Sequence, residues 1–142
     1  MRRLLLVGLI CLNAAAAMAA DMPFDFEVLQ FRAKSLAAKP YVQRASKVPK
    51  ALQELSYDLY RDIRFDPNRS WWRREQLPFQ LQFFHPGSIF NRPVQIFEVR
   101  GKRAAPIPFD PQLFRYDRKL KLGELPAEMG FAGSSPSLSF RS

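Results

Sequence analysis

The segment that decides the fold is FQLQFFHPG, at residues 79–87. Apolar residues at positions 79, 81 and 83 alternate with glutamine at 80 and 82, which is the two-residue repeat of a half-buried strand. Pro86 and Gly87 predict a turn after it, because proline presets the first central dihedral angle and glycine tolerates a positive φ at the second. A second strand is predicted over residues 94–100, and Tyr116 and residues 120–122 suggest one more. The pattern beyond residue 64 therefore favours β-structure.

Two helices are predicted before this β-rich part. Asp25 is expected to cap a helix that ends before Pro40, and Pro49 is expected at the first position of another. Each helix carries one apolar stripe of the kind that usually packs on a core: Val28, Phe31 and Leu36 in the first, and Leu52, Leu55 and Leu59 in the second. All twelve prolines lie beyond residue 20 and separate short segments. The expected fold class is mainly β with short N-terminal helices.

Residues 1–19 predict a secretory signal peptide. Arg2 and Arg3 precede an apolar run too short for the roughly 20 residues of a membrane span, and small residues follow at Ala17 and Ala19. Cleavage is expected between Ala19 and Ala20. The polar residue that precedes a twin-arginine pair is missing, so export by the Sec route to the periplasm is expected, with no stable membrane insertion after cleavage.

The charge of the chain indicates which partners to expect. Removing two arginines with the signal peptide lowers the net charge from +9 to +7, which favours an anionic glycan, lipopolysaccharide or a charged membrane surface over nucleic acid. Cys11 is the only cysteine, so the exported chain cannot form a disulfide and depends on packing for its stability.

Few residues carry recognisable chemistry. His85 is the only histidine and has no cysteine or second histidine to join it, so neither a metal nor another cofactor is expected. We interpret His85 as a packed, hydrogen-bonded residue. Trp71 and Trp72 follow a polar stretch, where an indole ring could stack on a sugar; alternatively, one tryptophan belongs to the core and the other covers it. The spacing of the acids does not identify the pair of carboxyl groups that glycoside hydrolysis requires.

The segment LSYDLYRDIRF at residues 55–65 resembles the periplasmic glucan biosynthesis protein G/D family (OpgG/OpgD, also MdoG/MdoD). Further landmarks occur in the order expected for that family: residues 24–28, 36–37, 40–41, Trp71 or Trp72, 83–87, Phe90, 93–94 and 130–133. The similarity spans residues 24–133 and corresponds to the N-terminal part of the family only.

The resemblance implies a β-sandwich of the galactose-mutarotase-like (supersandwich) type, joined in full-length members to an immunoglobulin-like domain. It also implies a role in making osmoregulated periplasmic glucans, with β-1,2-linked glucan or a glucan precursor as partner. Some members resemble inverting endo-β-1,2-glucanases, whose catalytic acid lies far downstream. No catalytic residue is therefore assigned here, and whether the protein is an enzyme stays open.

The serine-rich stretch after residue 133 departs from the family, which continues with an apolar strand. We expect a truncated, partial sandwich over residues 20–133 that folds marginally and lacks glucanase activity, followed by a disordered tail at residues 134–142. The candidates for sugar contact are Tyr57, Tyr60, Arg61, Trp71 and Trp72. In the alternative reading, Tyr57, Tyr60 and Ile63 seat a helix on the sheet. The alternative function is a stand-alone secreted binding module for an anionic envelope polymer such as lipopolysaccharide.

Overall fold

The computed structural model describes residues 22–43 and 45–138. The predicted signal peptide and its cleavage residues Ala17, Ala19 and Ala20 lie outside this part of the chain. Within it, no helix has the length and hydropathy needed to cross a membrane.

Three short α-helices occupy the N-terminal third of the described chain: α1 (Phe26–Ala37), α2 (Lys50–Gln53) and α3 (Tyr57–Tyr60). Asp25 caps α1 as predicted, since its carboxylate accepts a hydrogen bond of 2.8 Å from the backbone N–H of Val28. The single helix expected after Pro49 is in fact two. Pro49 precedes α2 as its cap residue, and the Ser56 hydroxyl caps α3 by accepting from the backbone N–H of Leu59.

In the described part of the chain, seven strands form three small antiparallel sheets. The first sheet has the order β1-β5-β4, the second pairs β2 with β6, and the third pairs β3 with β7. Their bounds are β1 Met22–Pro23, β2 Arg64–Phe65, β3 Phe79–Phe84, β4 Phe97–Arg100, β5 Arg103–Pro106, β6 Phe114–Arg115 and β7 Gly133–Leu138. The mainly-β prediction is confirmed, and sheets this small and open fit a partial fold.

The alternating segment forms β3 as predicted, with Phe83 fully buried and Phe84 half exposed. Its partner was not predicted. Residues 134–138, expected to be disordered, pair along β3 in β7, so that Ser134 lies opposite Phe83 and Pro136 opposite Leu81. The ladder is formed by backbone hydrogen bonds, which do not depend on apolar side chains. A serine-rich segment can therefore form a strand although its sequence has no alternating apolar pattern. Residues 139–142 lie outside the described chain.

Three other sequence predictions differ from the structure. The strand expected over residues 94–100 is regular only in β4, whereas Val94 makes a single bridge to Phe131. The turn expected at Pro86 and Gly87 lies instead between Gly87 and Phe90, which exchange backbone hydrogen bonds. No strand forms at residues 120–122; the sixth strand is β6, one residue before Tyr116.

Aromatic rings build the core. Phe83 stacks on Phe131 with ring centroids 4.4 Å apart, and Trp71 and Phe65 meet Phe83 edge-on. Gly130 makes this arrangement possible, because its φ is +78° and a Cβ there would lie 2.7 Å from the Val94 carbonyl oxygen. The core therefore joins β3 to the segment that leads into β7.

His85 lies at the end of β3 and is buried, as the sequence interpretation expected. Its Nδ1 lies 2.6 Å from the Pro86 carbonyl oxygen, which can only accept, so Nδ1 carries the proton. Nε2 then accepts from the Tyr116 hydroxyl at 3.1 Å, while Phe109 and Phe114 meet the ring edge-on. Desolvation by these neighbours lowers the pKa of His85 to about 4, although the hydrogen bond to Pro86 opposes the shift.

This burial predicts an acid sensitivity of the fold. Below the ordinary His pKa of 6.5 the unfolded chain binds a proton that the folded chain does not, so stability should fall as the pH drops from 6.5 to about 4. This difference between the pKa values of His85 in the unfolded and folded chain corresponds to a loss of folding stability on the order of 3 kcal/mol. Denaturant midpoints measured across this range should decline, and the decline should be clearly shallower in His85→Gln. An equally steep decline in that variant would contradict the assignment.

Candidate functional site

An open cleft of about 750 Å³ lies beside the two tryptophans. The loop between β2 and β3 supplies most of its wall, and β4 and the segment before β6 supply the rest. Its lining residues are Asp66, Asn68, Arg69, Ser70, Trp71, Trp72, Arg73, Arg74, Glu75, Arg100 and Leu113. The cleft thus combines aromatic rings, guanidinium groups and carboxylates.

The two tryptophans differ in their roles. The Trp71 backbone bridges to Leu81 and its ring meets Phe83, so Trp71 fixes the loop to β3 and to the core. Trp72 has a left-handed φ of +65°, a conformation that costs a residue with a side chain roughly 1–2 kcal/mol. Its ring meets Phe79 edge-on at 5.9 Å and stays partly exposed. One indole is therefore structural, and the other is available at the wall of the cleft.

Glu98 on β4 holds Trp72 in place. The Trp72 Nε1–H donates to the Glu98 carboxylate at 2.6 Å, and Arg100 contacts the same carboxylate at 3.0 Å. Arg100 also reaches Glu75 in the loop at 2.7 Å. A chain of charge-assisted bonds consequently ties the strained loop to the sheet, and such bonds are roughly twice as strong as neutral ones.

The pKa of Glu98 reflects these contacts. Burial raises this pKa, but the hydrogen bonds from Arg100 and Trp72 lower it by more than burial raises it. The pKa of Glu98 therefore lies below its ordinary value. The enclosed Trp71 Nε1–H also contributes to this lowering, although it makes no hydrogen bond of normal geometry. Glu98 is therefore ionised at neutral pH.

Asp66, which also lines the cleft, is held in the same way. Arg115 donates to its carboxylate at 3.0 Å, and the backbone N–H of Asn68 donates to the same oxygen. These two hydrogen bonds lower the pKa of Asp66. A general acid for glycoside cleavage needs a raised pKa instead, so neither Asp66 nor Glu98 has the environment of that role.

Three further arginines line the cleft, and one of them, Arg69, acts electrostatically on Asp66 and helps to lower the pKa of that carboxyl. Arg69 makes one hydrogen bond of 3.4 Å, to the neutral Gln112. Arg73 and Arg74 are exposed and form no ion pair with any residue in the described part of the chain. The cleft therefore presents net positive charge beside Trp72.

The structure separates the predicted sugar-contact residues into two groups. Trp71 and Trp72 line the cleft, whereas Tyr57, Tyr60 and Arg61 belong to α3 and its end and do not. Tyr60 donates its hydroxyl to the His85 carbonyl oxygen at 2.7 Å, and its ring contacts Phe90, which is the contact expected if α3 is seated on the β-structure. Burial raises the pKa of the Tyr60 hydroxyl. Tyr57 and Arg61 are exposed, and a sugar contact at either remains a prediction.

Sequence reasoning missed Glu98, Arg100, Glu75 and Asp66. No local signal marked Glu98, because a charged residue between Phe97 and Val99 in a predicted strand is normally expected on the solvent face. The partners could not be found from the sequence, because Trp72 lies 26 positions away along the chain. No group of histidine, cysteine, aspartate or glutamate residues in the described chain is arranged to hold a metal ion.

The family model described as "Periplasmic glucan biosynthesis protein, MdoG" matches residues 24–138. "Glucans biosynthesis protein G" of Ralstonia nicotianae is 47% identical over 130 residues, which cover 91% of this chain and 25% of that protein. The protein of the same name from Bradyrhizobium diazoefficiens is 39% identical over 141 residues, covering 93% and 28% respectively. "Glucans biosynthesis protein D 1" of Ralstonia nicotianae is 41% identical over 118 residues, covering 82% and 22%. The chain spans about a quarter of the length of these relatives.

The Glu98 network predicts how the loop responds to substitution. Glu98→Gln removes the charge that Trp72 and Arg100 share, so it should destabilise the protein by about 1–3 kcal/mol and shift tryptophan emission to longer wavelength. Glu75→Gln, the control, breaks only the more exposed arm of the network and should leave the emission unchanged. Equal effects of the two substitutions would show that Glu98 does not hold Trp72.

Proposed function

Because the chain belongs to the periplasmic glucan biosynthesis (MdoG) family, we propose that it acts in the biosynthesis of osmoregulated periplasmic glucan and binds β-1,2-linked glucan in the cleft beside Trp72. The family match over residues 24–138 supports the pathway, and the relatives' names support glucan as the material handled. The same proposal places the protein in the periplasm, exported by the Sec route with cleavage of the signal peptide between Ala19 and Ala20.

The observation that carries the binding proposal is the partly exposed, rigidly held ring of Trp72. Sugar rings present C–H faces to an aromatic surface and hydroxyl groups at their edges. Trp72 supplies the surface, while Arg69, Asn68 and Glu75 supply donors and acceptors around it. A ring that is fixed before binding loses little conformational entropy when the ligand arrives.

In this proposal the cleft binds glucan without cleaving it. Asp66 and Glu98 both have lowered pKa values and hold arginines, which makes them anchors of the loop and not proton donors. The proposed role of the cleft is to bind the glucan chain.

Titration of the purified chain with linear β-1,2-glucan, followed by tryptophan fluorescence or calorimetry, tests this proposal. Trp72→Ala should weaken binding about tenfold, a typical value for one aromatic contact, and Trp72→Phe should weaken it less. Tyr57→Ala, the control on α3, should stay within about twofold of the unsubstituted chain. A larger loss of affinity in Tyr57→Ala than in Trp72→Ala would show that the glucan binds at α3 and not in the cleft.

Arg73 and Arg74, which are exposed and form no ion pair within the described residues, favour a second candidate function, the binding of an anionic envelope polymer such as lipopolysaccharide. Arg69, Arg73 and Arg74 lie together in the lining, and guanidinium groups suit phosphate and carboxylate because they offer paired donors. Neutral glucan does not require this charge.

Salt and arginine substitution separate the two candidates. If an anionic polymer is the ligand, the double variant Arg73→Gln/Arg74→Gln should reduce lipopolysaccharide binding about tenfold or more, and raising the salt concentration should do the same. Arg92→Gln, an exposed arginine outside the cleft, is the matched control. Unchanged binding in the double variant, or salt-independent binding of neutral glucan, would favour the first candidate.

A further inference from the structure

The outer border of β4 is an unpaired strand edge. Its sheet has the order β1-β5-β4, so within the described residues β4 has a neighbouring strand on one side only. Ile107 donates its backbone N–H to the Ile96 carbonyl oxygen, and hydrogen-bonded pairs alternate along an antiparallel ladder. The even-numbered residues of β4 therefore bond to β5, whereas the N–H and C=O groups of Phe97 and Val99 point to the open side.

β4 lacks a protection that other strand borders of this fold have. β1, at the far border of the same sheet, contains Pro23, and β7 contains Pro136. A proline has no N–H for an added strand and so helps to block a strand edge. β4 contains no proline, and Phe97 and Val99 are 43% and 47% exposed. Both the backbone and the apolar side chains of β4 are thus available to another strand.

Exposed apolar side chains alone do not identify a partner, as α1 illustrates. The packing predicted for the stripe of Val28, Phe31 and Leu36 is wrong for Phe31 and Leu36, which are largely exposed. However, α1 buries no residue at all and so has no distinct outward face. β4 differs, because the order of its side chains specifies what can pair with it.

The segment FEVRG, at residues 97–101, is complementary to itself in the antiparallel direction. When Val99 is placed opposite Val99 of a second copy, Glu98 lies opposite Arg100 of that copy and Arg100 lies opposite its Glu98. Opposite charges directly across a ladder stabilise strand pairing. These two charged pairs occupy the non-hydrogen-bonded positions of the new ladder, where facing side chains are closest.

The register centred on Val99 is preferred to its neighbours. A shift by one step places Glu98 opposite Glu98 or Arg100 opposite Arg100, and like charges directly opposite destabilise a ladder. The preferred register also places Phe97 across from Gly101, where an aromatic ring covers the gap beside a glycine. One register therefore satisfies both the charged and the apolar side chains.

The charged side chains of β4 are already placed for this contact. Arg100 contacts the Glu98 carboxylate at 3.0 Å, so both side chains lie on the same face of the strand. The Arg100 side chain is 67% exposed, and its guanidinium group has five N–H donors. It can therefore bond a carboxylate of a second copy while it keeps its contact with Glu75.

We propose that β4 pairs with β4 of a second copy of this chain, antiparallel and centred on Val99. The pairing joins two three-stranded sheets into one of six strands, within the usual range of about four to six. A contact made by one short strand is smaller than the roughly 800 Å² per partner of a stable interface, so the association is weak. This inference does not depend on the ligand of the cleft.

Sedimentation equilibrium of the purified chain tests the pairing. The average mass should rise from one chain to two with a dissociation constant on the order of 10–100 µM. Val99→Pro removes the outward N–H without removing a bond to β5, and it should weaken association at least about tenfold. Val99→Thr, the matched control, keeps the N–H and the β-branched shape and should stay within about threefold.

An exchange of charges tests the register. Glu98→Lys and Arg100→Glu each place like charges opposite one another in a dimer of identical chains, so each variant alone should associate at least about tenfold more weakly. A mixture of the two variants restores both opposite-charge pairs and should associate about as strongly as the unsubstituted chain. The Val99 variants decide the matter if Glu98→Lys does not fold.

Three results would overturn the proposal. The first is an unsubstituted chain whose mass does not change with concentration up to about 1 mM. The second is equal association of Val99→Pro and Val99→Thr, which would place the contact away from the backbone edge of β4. The third is a mixture of folded Glu98→Lys and Arg100→Glu chains that associates no better than either variant alone.

Discussion

The stack of Phe83 on Phe131 is the contact on which the other elements depend, because it joins two segments far apart in a chain that has no disulfide to join them. Phe83 brings β3 into the core, and Phe131 brings the segment leading into β7. Trp71 packs on the edge of the same stack, so the loop of the cleft is positioned by the core. His85, two residues beyond Phe83, extends this aromatic core to Phe109 and Phe114.

The cleft, unlike the aromatic core, depends on charged side chains. Its loop contains two residues with left-handed backbone, Trp72 and Gln76, and charged side chains tie it to β4. Aromatic packing fixes one side of the loop and ion pairs fix the other. This arrangement explains how a loop with few buried apolar side chains keeps an indole ring in one orientation, and it leaves Arg73 and Arg74 free to face solvent.

Local signals in the sequence predicted the local features of the fold. The Asp25 cap and the alternation in β3 were readable because each depends on neighbours within a few residues. Long-range pairing was not readable: β7 has no apolar alternation, and its pairing with β3 comes from the backbone. For the same reason the sequence pointed to Trp72 in the candidate site but not to Glu98, and it grouped Tyr60 with the tryptophans although Tyr60 packs against residues 85–90. The expectation of a partial β-fold came from the resemblance to a family, because periodicity alone does not show that a fold is partial.

The proline in β7 has a consequence for how this small fold behaves in concentrated solution. β7 borders its sheet, and the described residues provide no strand on its outer side. Bare strand edges invite other chains to add on and propagate aggregates. Pro136, in the middle of β7, has no N–H that could donate to an added strand. The serines around it provide no apolar surface whose burial would stabilise such a strand. The border of this sheet is thereby a poor template for fibril growth.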